Sequence, residues 1–163
     1  MKQFYDKLVK TRHHLHQHPE LSGQEYETTA FLSRYLQDLG IKILDSGLET
    51  GLIAEIGQGE PVIALRADID ALPILEKTGL PYASQNPGVM HACGHDFHQT
   101  SLLGAAELLK AMEEDLQGTI RLIFQPAEET SQGASQVLAT GLLDDVVAII
   151  GFHNMPQLKA GQM

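Results

Sequence analysis

The sequence predicts an α/β fold of packed layers, and three observations carry that expectation. Short apolar runs rich in β-branched residues recur between segments with a helical stripe, glycines punctuate those runs as turns, and no repeat or low-complexity stretch interrupts the alternation. Apolar runs of this kind, alternating with helices, suit a sheet buried on both faces. With 163 residues, 43% hydrophobic and 20% charged, the chain can bury one core, so a single domain is expected.

The elements follow in order. Residues 2 to 17 place Phe4, Leu8, Val9 and Leu15 near one stripe, a modest helix stopped by Pro19. A second helix is marked at its start by Ser22 and Glu25, spaced as a capping box, along its length by Leu32, Tyr35, Leu36 and Leu39, and at its end by Gly40. Apolar runs at 41–44, 52–56 and 62–65, separated by Gly47, Gly51, Gly57 and Gly59, read as three strands. A Pro, Gly and Asn-rich loop over 78–88 leads into a Cys/His cluster, and Leu102, Leu103, Ala106, Leu109 and Met112 then form a helical stripe. Strands at 120–124 and 146–151 flank a helical stretch at 133–138.

Charge narrows the function classes. A net charge of −10, with no basic run, argues against a nucleic-acid or anionic-membrane partner. No apolar stretch approaches the ~18 residues needed to span a bilayer, and the start lacks a secretory leader pattern. A cytoplasmic, reducing location is expected.

The chemistry centres on Cys93, the single cysteine, within Met90-His91-Ala92-Cys93-Gly94-His95-Asp96-Phe97-His98. One thiol cannot close an intramolecular disulfide, so metal binding is the leading reading. Three strands run into ionisable residues: Arg66 and Asp68, Glu128 and Glu129, and His153. Ligands of open α/β sheets bind beyond the carboxyl ends of the strands, so these groups should converge there with the cluster. Cys93, His95, one of Glu128 and Glu129, and His153 then offer thiolate, imidazole and carboxylate, a donor mixture that Zn²⁺ and related ions accept. Each has a plainer reading: a buried small hydrophobe for Cys93, acids at a helix N-terminus for Glu128 and Glu129, a core histidine for His153, and loop caps for Asp68 and Asp70. His13, His14, His16 and His18 read as structural or surface residues, and His98 as a cap or a support to the cluster.

The sequence resembles the M20 metallopeptidase family, in particular its amidohydrolase branch of N-acyl-amino-acid, hippurate and auxin-conjugate hydrolases. The resemblance rests on five segments in family order: 12–21, 65–73, 90–98, 125–129 and 151–153. It implies a three-layer zinc-peptidase-like domain with a mixed, mostly parallel central sheet flanked by helices. It also implies two divalent ions (Zn, Mn, Co or Ni), with Cys93, His95, Glu129 and His153 as metal ligands, Glu128 as general base and Asp68 orienting a ligand. Other branches carry a histidine ligand where this chain has Arg66, whose guanidinium stays protonated and cannot ligate.

The implied substrate is an N-acyl amino acid or short peptide. Family members are about twice this long and often homo-oligomeric, so residues 1–163 are expected to be the N-terminal part of the catalytic domain, without the inserted dimerisation domain and the C-terminal catalytic portion. Amide hydrolysis needs an activated water, a polarised carbonyl and a protonated leaving nitrogen. Two ions about 3.5–4 Å apart serve the first two needs, and a non-ligating carboxylate serves the third. The competing readings are a short-peptide peptidase, a catalytically silent metal-binding module, and a cysteine-nucleophile hydrolase using Cys93 with His95 or His98.

Overall fold

The computed structural model describes residues 2–159 and 162; Met1, Ala160, Gly161 and Met163 lie outside them. Helix α1 spans Lys2–Gln17 and α2 spans Tyr26–Asp38. Strands β1 (Lys42–Ile43), β2 (Leu52–Gln58) and β3 (Val62–Asp68) follow. After a long loop come α3 (His95–Ala111), a 3-10 turn (Glu113–Asp115), β4 (Gly118–Gln125), α4 (Gly133–Ala139) and β5 (Val146–Gly151).

The strands form one mixed sheet in the order β1-β2-β4-β3-β5. The β1/β2 and β2/β4 pairs are antiparallel, and the β3/β4 and β3/β5 pairs are parallel. Alternation along β4 serves two cores at once. Leu122 and Phe124 join Leu32 and Leu36 of α2 and Leu102, Leu103 and Ala106 of α3 on one face. Ile123 turns to the other face, against Ile53, Ala64 and Val137 of α4. The three-layer arrangement implied by the resemblance is therefore present. Truncating the fully buried Phe124 to Ala is expected to cost about 3–5 kcal/mol.

Helix α2 ends as the glycine signal indicates. Gly40 adopts a positive φ of 68°, and the N–H groups of Gly40 and Ile41 return to the carbonyls of Gln37 and Leu36, a Schellman closure. Its start differs from expectation. Glu25 is the N-cap residue with no side-chain cap hydrogen bond, because its carboxylate is buried elsewhere: it accepts the Ala127 N–H at 2.8 Å and the Thr50 hydroxyl at 2.8 Å. Ser22 instead donates to Asp70 at 2.6 Å. The Glu20 carboxylate accepts the free N–H groups of Glu27 and Thr28, as an acid at a helix start can.

A second difference concerns β5. Its apolar run reads as a strand buried on both faces, yet Val147 is 71% and Ile150 60% exposed. Position explains this: β5 ends the sheet order and pairs only with β3, so among the described residues nothing packs beyond it.

The parallel pairs position the site. Asp68 lies in register with Gln125, and Arg66 with Gly151, so β3, β4 and β5 deliver their carboxyl ends to one edge of the sheet.

Candidate metal centre

From that edge, each strand turns into a functional segment, and α3 brings its N-terminus alongside. Gly94 is the N-cap residue of α3 at φ 83°, a left-handed conformation that glycine adopts without strain. It lets the chain reverse between Cys93 and His95. A Cβ there would meet the Asn154 side chain at 2.6 Å, so glycine also admits the segment after β5. Cys93 Sγ thereby comes within 3.3 Å of His153 Nε2.

The two histidines present the same nitrogen. His95 donates Nδ1–H to the Asp70 carbonyl at 2.8 Å, and His153 donates Nδ1–H to the Asn154 carbonyl at 2.8 Å. With Nδ1–H so engaged, Nε2 is the nitrogen of each ring that a metal can take. His95 Nε2 is buried and, among the described residues, without a hydrogen-bond partner, as is Glu129 Oε1. Orphaned buried polar atoms are costly and call for a ligand. Around His95 Nε2 stand Asp68 Oδ1 at 3.6 Å, Glu128 Oε2 at 3.8 Å and Glu129 Oε1 at 3.8 Å. Three overlapping sets each bring one donor atom per residue within 4.8 Å of the others: Cys93, His95 and His153; Asp68, His95 and His98; His95, Glu128 and Glu129. Sulfur, nitrogen and oxygen donors at this spacing fit divalent metals.

The predicted ligands Cys93, His95, Glu129 and His153 and the predicted catalytic pair Glu128 and Asp68 thus stand around one centre. Glu128 and Glu129, adjacent in sequence, do not lie on extended backbone, where neighbouring side chains point apart. They lie in a turn, closed by the Ser131 N–H donating to the Glu128 carbonyl at 2.8 Å, and both carboxylates approach His95. Glu128 is the more open, with 39% of its side chain exposed against 21% for Glu129. Ala127, at φ 47°, takes the positive-φ position that this turn requires, held by Glu25.

The field of the site favours a cation. Burial opposes ionisation of Asp70, yet bonds from His95, Ser22 and the Glu129 N–H bring its carboxyl down to about 2. Asp68 is also lowered despite burial, by His98, His95 and Arg66. Burial, together with Glu129, Glu128 and Asp68, pushes the Cys93 thiol up to about 11. A divalent ion would reverse that balance and hold the sulfur as thiolate.

The supporting residues are the ones that spacing left open. His98 accepts the Asn154 N–H on Nε2 at 3.1 Å and donates Nδ1–H to Asp68 Oδ1 at 2.6 Å. It therefore links Asp68 to the segment that carries His153. Arg66 is not a donor to the centre; it binds Asp68 Oδ2 at 2.6 Å and Gln125 Oε1 at 3.0 Å. Asp70, read from sequence only as a loop cap, holds the Glu129 N–H at 2.9 Å. The one available signal was its position two residues past Asp68, at the end of a strand. The N-terminal histidines stay outside the centre: His13 stacks on Tyr82, His18 donates to the His14 carbonyl, and His16 binds Asp96 and Glu76.

The family model for peptidase family M20/M25/M40 matches residues 64–163, more than half of the chain. N-acetyl-L-cysteine deacetylase of Bacillus subtilis (strain 168) is 58% identical over 94% of this chain and 38% of its own length. IAA-amino acid hydrolase ILR1-like 5 of Arabidopsis thaliana is 46% identical over 98% of this chain and 37% of its own length. The chain therefore spans about two fifths of the curated relatives it matches. A crystal structure of a dinuclear metal binding peptidase from the M20 family, from Bacillus subtilis, superposes with TM-score 0.94 at 55% identity, over 97% of this chain and 45% of that one. Human carnosine dipeptidase 1, at 19% identity and TM-score 0.68 over 92% of this chain and 39% of that one, shares the fold.

Proposed function

Because this chain belongs to peptidase family M20/M25/M40, we propose that it forms the metal-binding part of an amidohydrolase that cleaves the amide bond of N-acyl amino acids. One observation carries the reading. The buried, unpartnered Nε2 of His95 faces two glutamates of one turn, while Cys93 and His153 meet beside it.

In this reading Cys93, His95, Glu129 and His153 hold two divalent ions of the Zn, Mn, Co or Ni class. Bound there, the ions supply Lewis acidity toward a carbonyl and acidify water. Glu128 is the base. Its carboxylate lies at the same distance from His95 Nε2 as that of Glu129 but is more open to solvent, the placement needed to take a proton from water and return it to the departing nitrogen. Asp68 orients the His153 segment through His98. His98, His95 and Arg66 together favour the ionised form of Asp68.

The N-acetyl-L-cysteine deacetylase and IAA-amino acid hydrolase relatives favour N-acylated amino acids over short peptides as the substrate class. We place residues 1–163 in the N-terminal part of a catalytic domain, with the remaining donors, the groups that grip substrate and an oligomerising domain outside this sequence. A reducing, cytoplasmic setting suits a free thiol at the centre. No described helix is long and apolar enough to cross a membrane.

The test is metal analysis of the purified chain, in moles per mole, followed by turnover of an N-acetyl amino acid with added Mn²⁺, Zn²⁺ or Co²⁺. Uptake of ions supports the centre, and a chain that binds none refutes it. Uptake without turnover, beside an active full-length relative, favours the silent module instead.

A further inference from the structure

We propose that Asp70 is the positioning residue that sets the tautomer of His95 and the placement of Glu129 together, a role that rests on the metal-centre reading. Asp70 is 1% exposed and sits two residues past Asp68, on the segment leaving the end of β3. Two of its atoms accept hydrogen bonds, while Oδ1 is buried without a hydrogen-bond partner among the described residues. The backbone carbonyl takes the Nδ1–H of His95 at 2.8 Å, with carboxylate Oδ1 also 3.3 Å from that nitrogen. Oδ2 takes the backbone N–H of Glu129 at 2.9 Å and the Ser22 hydroxyl at 2.6 Å.

Two segments that meet at the centre, the first turn of α3 and the turn after β4, are thus tied to a single residue. With Nδ1–H engaged, the nitrogen of His95 that a metal can take is Nε2, the atom that stands buried and unpartnered opposite Glu128 and Glu129. A carboxylate suits this place because every group around it donates. An asparagine of the same shape would not: its amide NH₂ must face either His95 Nδ1–H or the donors of Glu129 and Ser22, setting donor against donor in a buried site. Partners of this kind, which do not touch the metal, fix ring orientation and ligand basicity.

The experiment is an ¹⁵N chemical-shift measurement of the His95 ring in the chelator-treated full chain at mildly alkaline pH, for wild type and Asp70→Asn, alongside Zn²⁺ affinity by calorimetry. Wild type is expected to show His95 protonated at Nδ1. The variant retains the main-chain carbonyl that accepts Nδ1–H and is expected to keep that tautomer, but to bind Zn²⁺ about 10- to 100-fold more weakly because its amide turns a donor toward His95 or Glu129.

A wild-type ring protonated at Nε2 overturns the proposal whether or not the variant folds. So does a folded variant that keeps the wild-type affinity. A wild-type chain that shows the Nδ1–H tautomer but takes up no Zn²⁺ supports the Asp70 contact and refutes the metal-centre reading, so the two failures are separable.

Discussion

Cys93 Sγ and His153 Nε2 lie 3.3 Å apart across 60 residues of sequence, one at the start of α3 and the other past the end of β5. On the proposed function, this thiol and imidazole meet at the rim of the sheet to share an ion. The Co²⁺-loaded protein should therefore show a near-ultraviolet sulfur-to-metal charge-transfer band that Cys93→Ala abolishes. His153→Ala should lower the number of ions bound while leaving a thiolate band. Metal stoichiometry that stays at the wild-type value in both variants would refute the shared centre.

Glu128 and Glu129 approach His95 equally closely and differ in exposure, so their roles should separate on mutation. Glu128→Gln is expected to keep metal content near normal and to abolish hydrolysis of an N-acetyl amino acid in the full-length context, a loss of at least about 100-fold for a general base. Glu129→Gln should lose metal. The opposite pattern in metal analysis would mean that base and ligand are interchanged.

Glu25 is fully buried and braces the turn before the glutamates by accepting the Ala127 N–H and the Thr50 hydroxyl. Glu25→Ala leaves both donors without a partner, each costing about 1–3 kcal/mol. A fall of about 2 kcal/mol or more in unfolding free energy is expected from urea titration. Glu25→Gln, which keeps an acceptor oxygen, should lose less. Equal losses would indicate packing rather than hydrogen bonding as the cause.

Gly133 begins α4 where a Cβ would come within 1.6 Å of the Pro126 carbonyl oxygen. Backbone cannot yield as a flexible side chain can, so Gly133→Ala is expected to destabilise by about 3 kcal/mol or more. Gly104→Ala, whose Cβ would crowd the flexible end of Leu8 at 2.9 Å and touch Phe4 at an ordinary 3.7 Å, should cost under about 1 kcal/mol. Urea midpoints of the two variants test the contrast, and comparable losses would contradict it.

His16 joins α1 to α3 and to the long loop, facing Asp96 at 2.9 Å and Glu76 at 3.2 Å, with Arg12 on the same Asp96 oxygen. The Asp96 hydrogen bond raises its pKa against the opposing effect of burial, with Glu76 adding to the rise. The folded value exceeds the unfolded value of about 6.5. The stability it contributes is therefore complete below about 6.5 and is lost as pH rises through the folded pKa. Urea midpoints should fall over that window, and His16→Gln should flatten this part of the profile. A midpoint that rises with pH there, or an unchanged slope in the variant, would contradict the assignment.

Local pattern made most of the framework legible. The stripe of Leu32 and Leu36, the apolar runs of β2, β3 and β4, and Gly40 at a helix end each express chemistry within a few residues of themselves. The Cys93 to His98 cluster and the acids beyond β3 and β4 were legible as candidate donors because parallel strands bring their carboxyl ends together. Glu25 misled, since the spacing of Ser22 and Glu25 fits a capping box while both side chains bond residues far along the chain. The apolar run of β5 showed that it can be buried, but not that it lies at the edge of the sheet.

By itself, then, the sequence determined the order of elements, the layered α/β class, the resemblance to the M20 family and the types of donor available, because propensity, periodicity and residue chemistry act locally. Tertiary structure alone decided that Asp70 joins His95 to Glu129, that His98 links Asp68 to the His153 segment, and that both glutamates turn toward one imidazole. Those relations are hydrogen bonds between segments far apart in sequence, and their partners exist only once burial has brought the segments together and made each unpaired donor or acceptor costly.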